Sequence, residues 1–389
     1  MPETRETERP VVLLGGGHAH VEVVRALGEH GHGRKIVLVS PSRHAPYSGM
    51  LPGYIAGRYR FEDFHIDLAA LCDRNDVTFL ETSATGIDPG RRSVSLANGQ
   101  VVGYDLLSVD IGSAPSLPAG ISGGIPVKPI ASFAERLAQL DALAEEHEGP
   151  FRLAIVGQGV AGVEMAFALR ERFARGRVQV TLAGRALRPV PERSKRTRKL
   201  VETALQKAGI EHHSGFDVVA FEYGELVAGD GRRLPVDEAV WTTSSGAPAW
   251  LRKTGLELDA AGFIRVDAAL RSVSHGNVFA AGDVASLPDP RPKAGVFAVR
   301  QGPILADNIR RSLEGEDLLP FYPQRAWLAL ISLSNGRAIA DKWGLSVSGR
   351  GVQAWKHWND TRFLRKYAPD YSAFSSKVLT FASRSRRLS

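Results

Sequence analysis

Two apolar runs, each stopping at a glycine turn and restarting as a helix, constrain this chain more than anything else in it. The first is Val11-Val12-Leu13-Leu14-Gly15-Gly16-Gly17-His18-Ala19-His20-Val21-Glu22, and the second is Leu153-Ala154-Ile155-Val156-Gly157-Gln158-Gly159-Val160-Ala161-Gly162-Val163-Glu164. A buried strand ending in clustered glycines lets backbone approach a pyrophosphate. The helix that follows offers free N–H groups and the positive end of its dipole. One such turn alone serves a positive φ equally well. Two, about 140 residues apart and each opening a helix, point to two dinucleotide sites.

The 389 residues suffice for two or three domains with cores of their own. A hydrophobic content of 43% with 23% charged residues places the chain among globular proteins. The single cysteine, Cys72, excludes an internal disulfide and a paired-cysteine metal or redox motif, and it reads as an inert buried residue. Met1 to Arg9 is polar and unlike a signal peptide, which predicts a cytoplasmic protein. No run of about 18 apolar residues predicts a membrane-spanning helix. The net charge of +7 is concentrated at one end. Residues 353–389 carry eight Lys/Arg and two Asp, a balance of +6. That pattern argues against a nucleic-acid surface and for a local basic tail.

In chain order, the first turn leads to a helix from Ala19 to about Glu29 and a strand Lys35–Ser40. An acid should close that strand to hold a ribose. Ser40-Pro41-Ser42 stands there instead, with hydroxyls as neutral partners, and His20 replaces the third glycine. The loop His44 to Tyr54, with two prolines and two glycines, reads as ordered. Ile111-Gly112-Ser113-Ala114-Pro115 ends a buried strand and opens a Pro/Gly-rich stretch, where a domain crossing is placed. The second unit runs through a helix from Val160 to about Phe173 and a strand ending Gly184-Arg185. Again no acid closes it, and Arg185 and Arg188 favour a 2′-phosphate. Thr242 to Pro248, with Gly246, echoes Ile111 to Pro115. Val278 to Ala285 is a strand leading into Gly282-Asp283, and Ala294-Gly295-Val296 opens a helix in which Pro303 predicts a kink or a turn. Leu328–Leu333 and Arg337–Ala340 form a hairpin about Asn335-Gly336. Tyr371, Phe374, Val378 and Phe381 keep helical spacing in the basic tail. It reads as an anchor for an anionic membrane surface or as a domain-packing or homodimer helix.

Taken in order, Gly15–Val21, Asp110–Pro115, Gly157–Glu164, Gly246–Pro248, Val278–Ala285 and Ala294–Gln301 resemble the two-dinucleotide-domain flavoproteins of the pyridine nucleotide-disulfide oxidoreductase superfamily. The likeness is to its branch of type II NADH dehydrogenases and sulfide:quinone oxidoreductases, and most of all to the flavoprotein module fused to selenophosphate synthetases. It implies an α/β fold of two Rossmann-like domains, the second inserted in the first, with a C-terminal α+β segment. The expected boundaries are 1–122 and 273–320 for the FAD domain, 123–272 for the NAD(P)H domain and 321–389 for the C-terminal segment. FAD is implied at Gly15, Gly17, His18 and Ala19, with Ser40, Pro46, Gly112, Gly282, Asp283, Ala294, Gly295 and Val296 around it. NAD(P)H is implied at Gly157, Gly159, Gly162, Arg185 and Gly246. Glu164 would lie toward the nicotinamide, Lys293 would add a cation beside the flavin and Tyr47 would line its other edge. No cysteine pair stands by the flavin, so electrons are expected to pass from NAD(P)H through FAD to a quinone or other small acceptor without a thiol relay. The expected location is the cytoplasm, with the tail peripheral on its membrane face. No metal site is expected. Two other readings are oxidation of a sulfur or selenium species and a flavin-binding protein without turnover.

Overall fold

The computed structural model describes residues 8–30, 33–115, 117, 121, 123–130, 133–174, 177–243 and 245–368. The expected tail helix at Tyr371, Phe374, Val378 and Phe381 lies outside the described residues.

The first unit is β1 (Val11–Leu14), α1 (His18–His30) and β2 (Ile36–Ser40), and every residue of both strands is buried. Strands covered on both faces read as unbroken apolar runs, and parallel pairing follows from the helical crossover. Next come α2 (Leu68–Arg74), β3 (Thr78–Glu81) and β4 (Leu106–Val109). The chain then leaves this sheet and builds a second one from β5 (Ile125–Pro126), β6 (Phe151–Val156), β7 (Val178–Gly184), β8 (Glu211–Ser214) and β9 (Glu238–Trp241). Its order is β5-β9-β6-β7-β8, all parallel. The helices α3 (Val160–Arg172) and α4 (Lys195–Ala208) connect β6 to β7 and β7 to β8. At β10 (Val278–Ala280) the chain returns to pair with β4, completing a first sheet of order β10-β4-β1-β2-β3. The second Rossmann-like unit is thus inserted in the first, as the resemblance implied. The two crossings pair with each other, Ala114 opposite Gly246.

Each unit solves the strand-to-helix approach differently. In the second, a Cβ at Gly162 would lie 1.7 Å from Gly157 O, so only glycine lets α3 sit on its strand. In the first, His20 fills that position. Its Nδ1 donates to Gly15 O at 2.7 Å, and its Nε2 accepts from Ser108 Oγ at 2.8 Å. Burial holds its pKa down to about 4, which keeps the ring neutral for that pattern. The close approach is moved to α5 (Gly295–Glu314), where a Cβ on Gly302 would lie 2.7 Å from Glu22 Cβ on α1.

Pro303 marks no turn: α5 runs unbroken through it for 20 residues. A proline inside a helix costs about 3 kcal/mol. The burial of Gln301, Gly302, Leu305, Ala306 and Ile309 outweighs that cost.

The C-terminal segment is larger than the expected hairpin. β11 (Ala329–Ser332) and β12 (Ala338–Lys342) turn at Asn335 and Gly336, with φ of 59° and 68°. A third strand, β13 (Leu345–Gly349), adds to the sheet. α6 (Arg350–Arg365) then crosses back toward the first unit. Trp343, Leu345, Trp355 and Trp358 remain exposed on this segment. No helix of the described residues is long and apolar enough to cross a membrane.

Candidate active site

The first glycine turn is built around Asp110, which follows β4. Its carboxylate accepts from Ala19 N at 2.9 Å and from His20 N at 3.2 Å, satisfying two orphan donors of α1. A Cβ at Gly17 would lie 2.2 Å from Asp110 Cγ, and one at Gly282 would lie 2.3 Å from its Oδ1. Gly15, with φ of 94°, would meet Asp110 O at 2.3 Å. Burial drives the carboxyl up to about 7, against the pull of the two N–H groups. The second unit repeats the device with a neutral group: Thr242 Oγ1 donates to Val156 O, and a Cβ at Gly157 would lie 2.6 Å from it. Sequence reading took Asp110 only as a strand end. Its position before Ile111-Gly112, matching Thr242 in the other half, was the available signal.

Around this turn stand most residues singled out for FAD. Gly112, with φ of 70°, has open space where a Cβ would be. Ser40 closes β2, but its hydroxyl is spent on Ser42 O at 3.0 Å. Pro46 lies on a short strand opposite His65. Ala294 caps α5, Gly295 and Val296 begin it, and the Cβ position of Gly295 lies 3.5 Å from Ser48 Oγ and 3.9 Å from His18 Cε1. The N-termini of α1 and α5 therefore face each other across Ser48. Asp283 Oδ2 accepts from Ser113 Oγ at 3.0 Å and from Lys128 Nζ at 2.9 Å, and Lys128 also donates to Ser245 Oγ at 2.8 Å. Lys128, unnoticed in the sequence, joins Asp283 to both crossings. Lys293 is placed otherwise than as a free cation. Its Nζ donates to Ala285 O at 2.6 Å and lies 4.0 Å from the centre of the Phe263 ring, and burial lowers its pKa.

These residues fit FAD. Two helix N-termini converge, Gly112 leaves the cleft side free of side chain, and Asp283 offers a carboxylate at the crossing. In the second unit Gly157 and Gly159 open α3, Gly159 with open space at its Cβ position, and Arg185 stands exposed past β7.

Tyr47 and Glu164 meet a group that the sequence reading missed. Tyr47 Oη donates to Asp360 Oδ1 at 3.2 Å, and its ring stacks on Phe363 with centres 4.6 Å apart. Asp360 and Lys356 form an ion pair of 2.8 Å inside α6, with side chains only 6% and 7% exposed. Lys356 also donates to Gly49 O. Glu164 Oε1 accepts from Ser332 N at 2.8 Å, tying α3 to β11. Burial raises the pKa of Glu164 although Lys356 opposes it, and burial likewise raises Asp360. Burial opposes the charge on Lys356, but Asp360 and Glu164 outweigh it and raise its pKa. One buried cation thus serves the buried carboxyl of Asp360 and the half-buried one of Glu164, and their titrations are coupled. Burial, then Asp360 and Glu164, push the Tyr47 phenol upward, so it stays a donor. His18 stands edge-on to Tyr47, ring centres 5.6 Å apart, and burial lowers it to about 4. The missed signal was the i,i+4 pair Lys356/Asp360, which a net-charge count files under the basic tail.

No thiol enters this group. Cys72 is buried on α2, where burial pushes it up to about 12. Among the described residues no three His, Cys, Asp or Glu side chains gather as metal ligands do.

A family model described as pyridine nucleotide-disulphide oxidoreductase matches residues 9–302. The chain is 26% identical over 360 residues to a demethylphylloquinone reductase of Synechocystis, covering 87% of this chain and 88% of that protein. It is 24% identical over 392 residues to a type II NADH:quinone oxidoreductase of Staphylococcus epidermidis, covering 93% and 96%. The X-ray structure of sulfide:quinone oxidoreductase from Aquifex aeolicus superposes with a TM-score of 0.79 at 19% identity, over 96% of this chain and 95% of that one. At that identity the likeness concerns the fold.

Proposed function

We propose that this chain, which belongs to the pyridine nucleotide-disulphide oxidoreductase family, carries electrons from NAD(P)H through FAD to a quinone-type acceptor with no thiol in between. A flavin-dependent oxidation of NAD(P)H is the chemistry of the family, and the quinone is the added step. The observation that carries it is the group of half-buried Tyr47 and Glu164 with the buried pair Lys356 and Asp360, where both glycine-turn units meet the C-terminal segment. The two curated relatives, both acting on quinones by name, support the same reading.

When bound, FAD accepts two electrons from the nicotinamide and gives them up to the acceptor. Gly15, Gly17 and the start of α1 would hold its diphosphate, Asp283 its sugar-alcohol chain, and Gly157 to Gly162 the nicotinamide nucleotide. The protein supplies what the flavin does not, which is protons and an enclosed surface. A quinone takes up two protons with two electrons, while the nicotinamide brings one proton with its pair. Lys356 with Asp360 and Glu164 holds a further proton in the fold, at Lys356 Nζ or shared with a carboxyl. Tyr47 Oη, hydrogen-bonded to Asp360 Oδ1, would pass its proton to the acceptor and take a replacement from the Lys356/Asp360 pair. The stacked rings of Tyr47 and Phe363, with His18 edge-on to Tyr47, would give an apolar ring aromatic surface to pack against.

The second part of the reading concerns where the acceptor comes from. Exposed Trp343 carries Lys342 over its ring at 4.0 Å, and exposed Trp358 carries Arg362 at 5.4 Å. Aromatic rings beside cations suit an anionic membrane surface. Co-sedimentation with vesicles containing anionic lipid should be lost in Trp343→Ser/Trp358→Ser, and retention would remove this part.

The test of the main reading separates the two halves of the cycle. In Tyr47→Phe, bleaching of the flavin by NAD(P)H should proceed normally, while re-oxidation by a short-chain quinone slows by about 10²-fold. Re-oxidation of Tyr47→Phe at the parent's rate would contradict it.

A further inference from the structure

The far end of β7 determines which nicotinamide nucleotide the second glycine turn takes. In a βαβ unit the residue closing the second strand faces the adenosine ribose. A carboxylate there bonds the 2′-hydroxyl and repels a 2′-phosphate. Here the strand closes on Gly184, and the space of a side chain is already taken. A Cβ would lie 2.8 Å from Gln158 Cγ and 3.0 Å from its Cδ. Gln158 is itself held from both ends. Its Nε2 donates to Ala186 O, and its Oε1 lies 2.6 Å from His212 Nε2.

Past the strand the surface is concave and basic. Arg188, Lys195 and Arg198 line a pocket floored by Ala186, Leu187 and Pro191, with no carboxylate in its wall. Arg185 and Lys195 are exposed and make no hydrogen bond or ion pair with the described residues. Arg188 has only Glu202 within reach, at 3.8 Å. Arg198 gives Nη1 to Pro191 O at 3.3 Å, while its buried Nε has no partner. Four guanidinium or ammonium groups with little to bind, at the place where an adenosine ribose would end, suit a dianionic phosphate.

We infer that this pocket binds the 2′-phosphate of a phosphorylated nicotinamide nucleotide, so that the chain takes NADPH in preference to NADH. The inference rests on the proposal that the second glycine turn holds a nicotinamide nucleotide. The specificity-determining residues are Arg188, Lys195 and Arg198 of the pocket, with exposed Arg185 next to Ala186 in the chain, and Gly184 and Gln158 excluding the acid that would select NADH.

The experiment uses the flavin-loaded protein and two fragments, 2′,5′-ADP and 5′-AMP, in calorimetric titration. 2′,5′-ADP should bind at least about tenfold more tightly, and the gap should narrow when salt rises from 50 to 500 mM. In Arg188→Ala/Lys195→Ala the gap should close, and the ratio of kcat/KM for NADPH over NADH should fall by about 10- to 100-fold. Equal binding of the two fragments, or an unchanged ratio in the variant, overturns the inference. If NADH bleaches the flavin as well as NADPH and quinone restores it, this inference fails and the proposed function stands. If 2′,5′-ADP is still favoured but neither nucleotide bleaches the flavin, the proposed function fails and the pocket stands.

Discussion

Replacing Lys356 by Met should destabilise the protein by more than any exposed salt bridge could. The side chains of Lys356 and Asp360 are 7% and 6% exposed, with 2.8 Å between Nζ and Oδ2. Removing one partner of such a pair leaves an uncompensated buried charge, at a cost of about 3–5 kcal/mol. Glu164 is affected as well, because Lys356 is the cation that lowers its pKa. With about 2.1 cal/mol/K of unfolding entropy per residue, a 389-residue chain has about 0.8 kcal/mol per kelvin. The expected drop in Tm is therefore roughly 4–6 °C, read by calorimetry on the flavin-loaded protein at pH 7. The direction with pH follows from the sign of the Asp360 shift. Its folded pKa is raised, and losing the lysine raises it further, so the folded state binds the proton that the unfolded state releases. The deficit should thus be larger at pH 8 than at pH 5. Lys356→Met/Asp360→Leu should recover at least half of the loss, since it removes both charges. A drop under 1 °C, or a double variant no better than the single one, would refute the reasoning.

Other consequences follow from the same geometry. Asp110→Asn should remove a pH slope: the folded pKa of about 7 exceeds the ordinary carboxylate value, so the parent loses stability as pH rises from about 4 to 7 and the variant does not. Melting curves at pH 4.5 and 8 should show the variant gaining on the parent at the higher pH, and parallel curves would contradict it. Gly302→Ala should cost about 1–3 kcal/mol, because its Cβ would press on Glu22 and on Ala19 O between α1 and α5. Thermal melts check this, and a neutral result would mean that the helices separate freely.

The repeating part of the fold was legible because it is local. A buried strand, a glycine turn and a helix occupy about twenty consecutive residues, and the apolar runs at β1, β2, β6 and β7 leave little alternative. The insertion of one unit in the other was legible only through the order of six short motifs. What failed to show in sequence was whatever depends on contacts across hundreds of residues. Tyr47 and Asp360 are 313 positions apart, and nothing near either announces the other. Lys356 and Asp360 look like solvated charges until α6 is laid on the first unit. The missing third glycine at His20 reads as degeneration in one dimension. In three dimensions its role has passed to Gly302 and its ring has joined a hydrogen-bond chain. Lys293 shows the converse: next to Ala294 in sequence, its ammonium is turned to Ala285 O and Phe263.

The central claim is that the flavin alone relays electrons between nicotinamide and quinone. The most direct measurement is anaerobic stopped-flow absorbance at the flavin band on the Cys72→Ala protein, mixed first with NADPH and then with a short-chain quinone. The account predicts rapid bleaching, then return of the yellow colour at the parent's rate. Failure of the quinone to restore colour to NADPH-bleached protein, or restoration that is lost with Cys72, would contradict it.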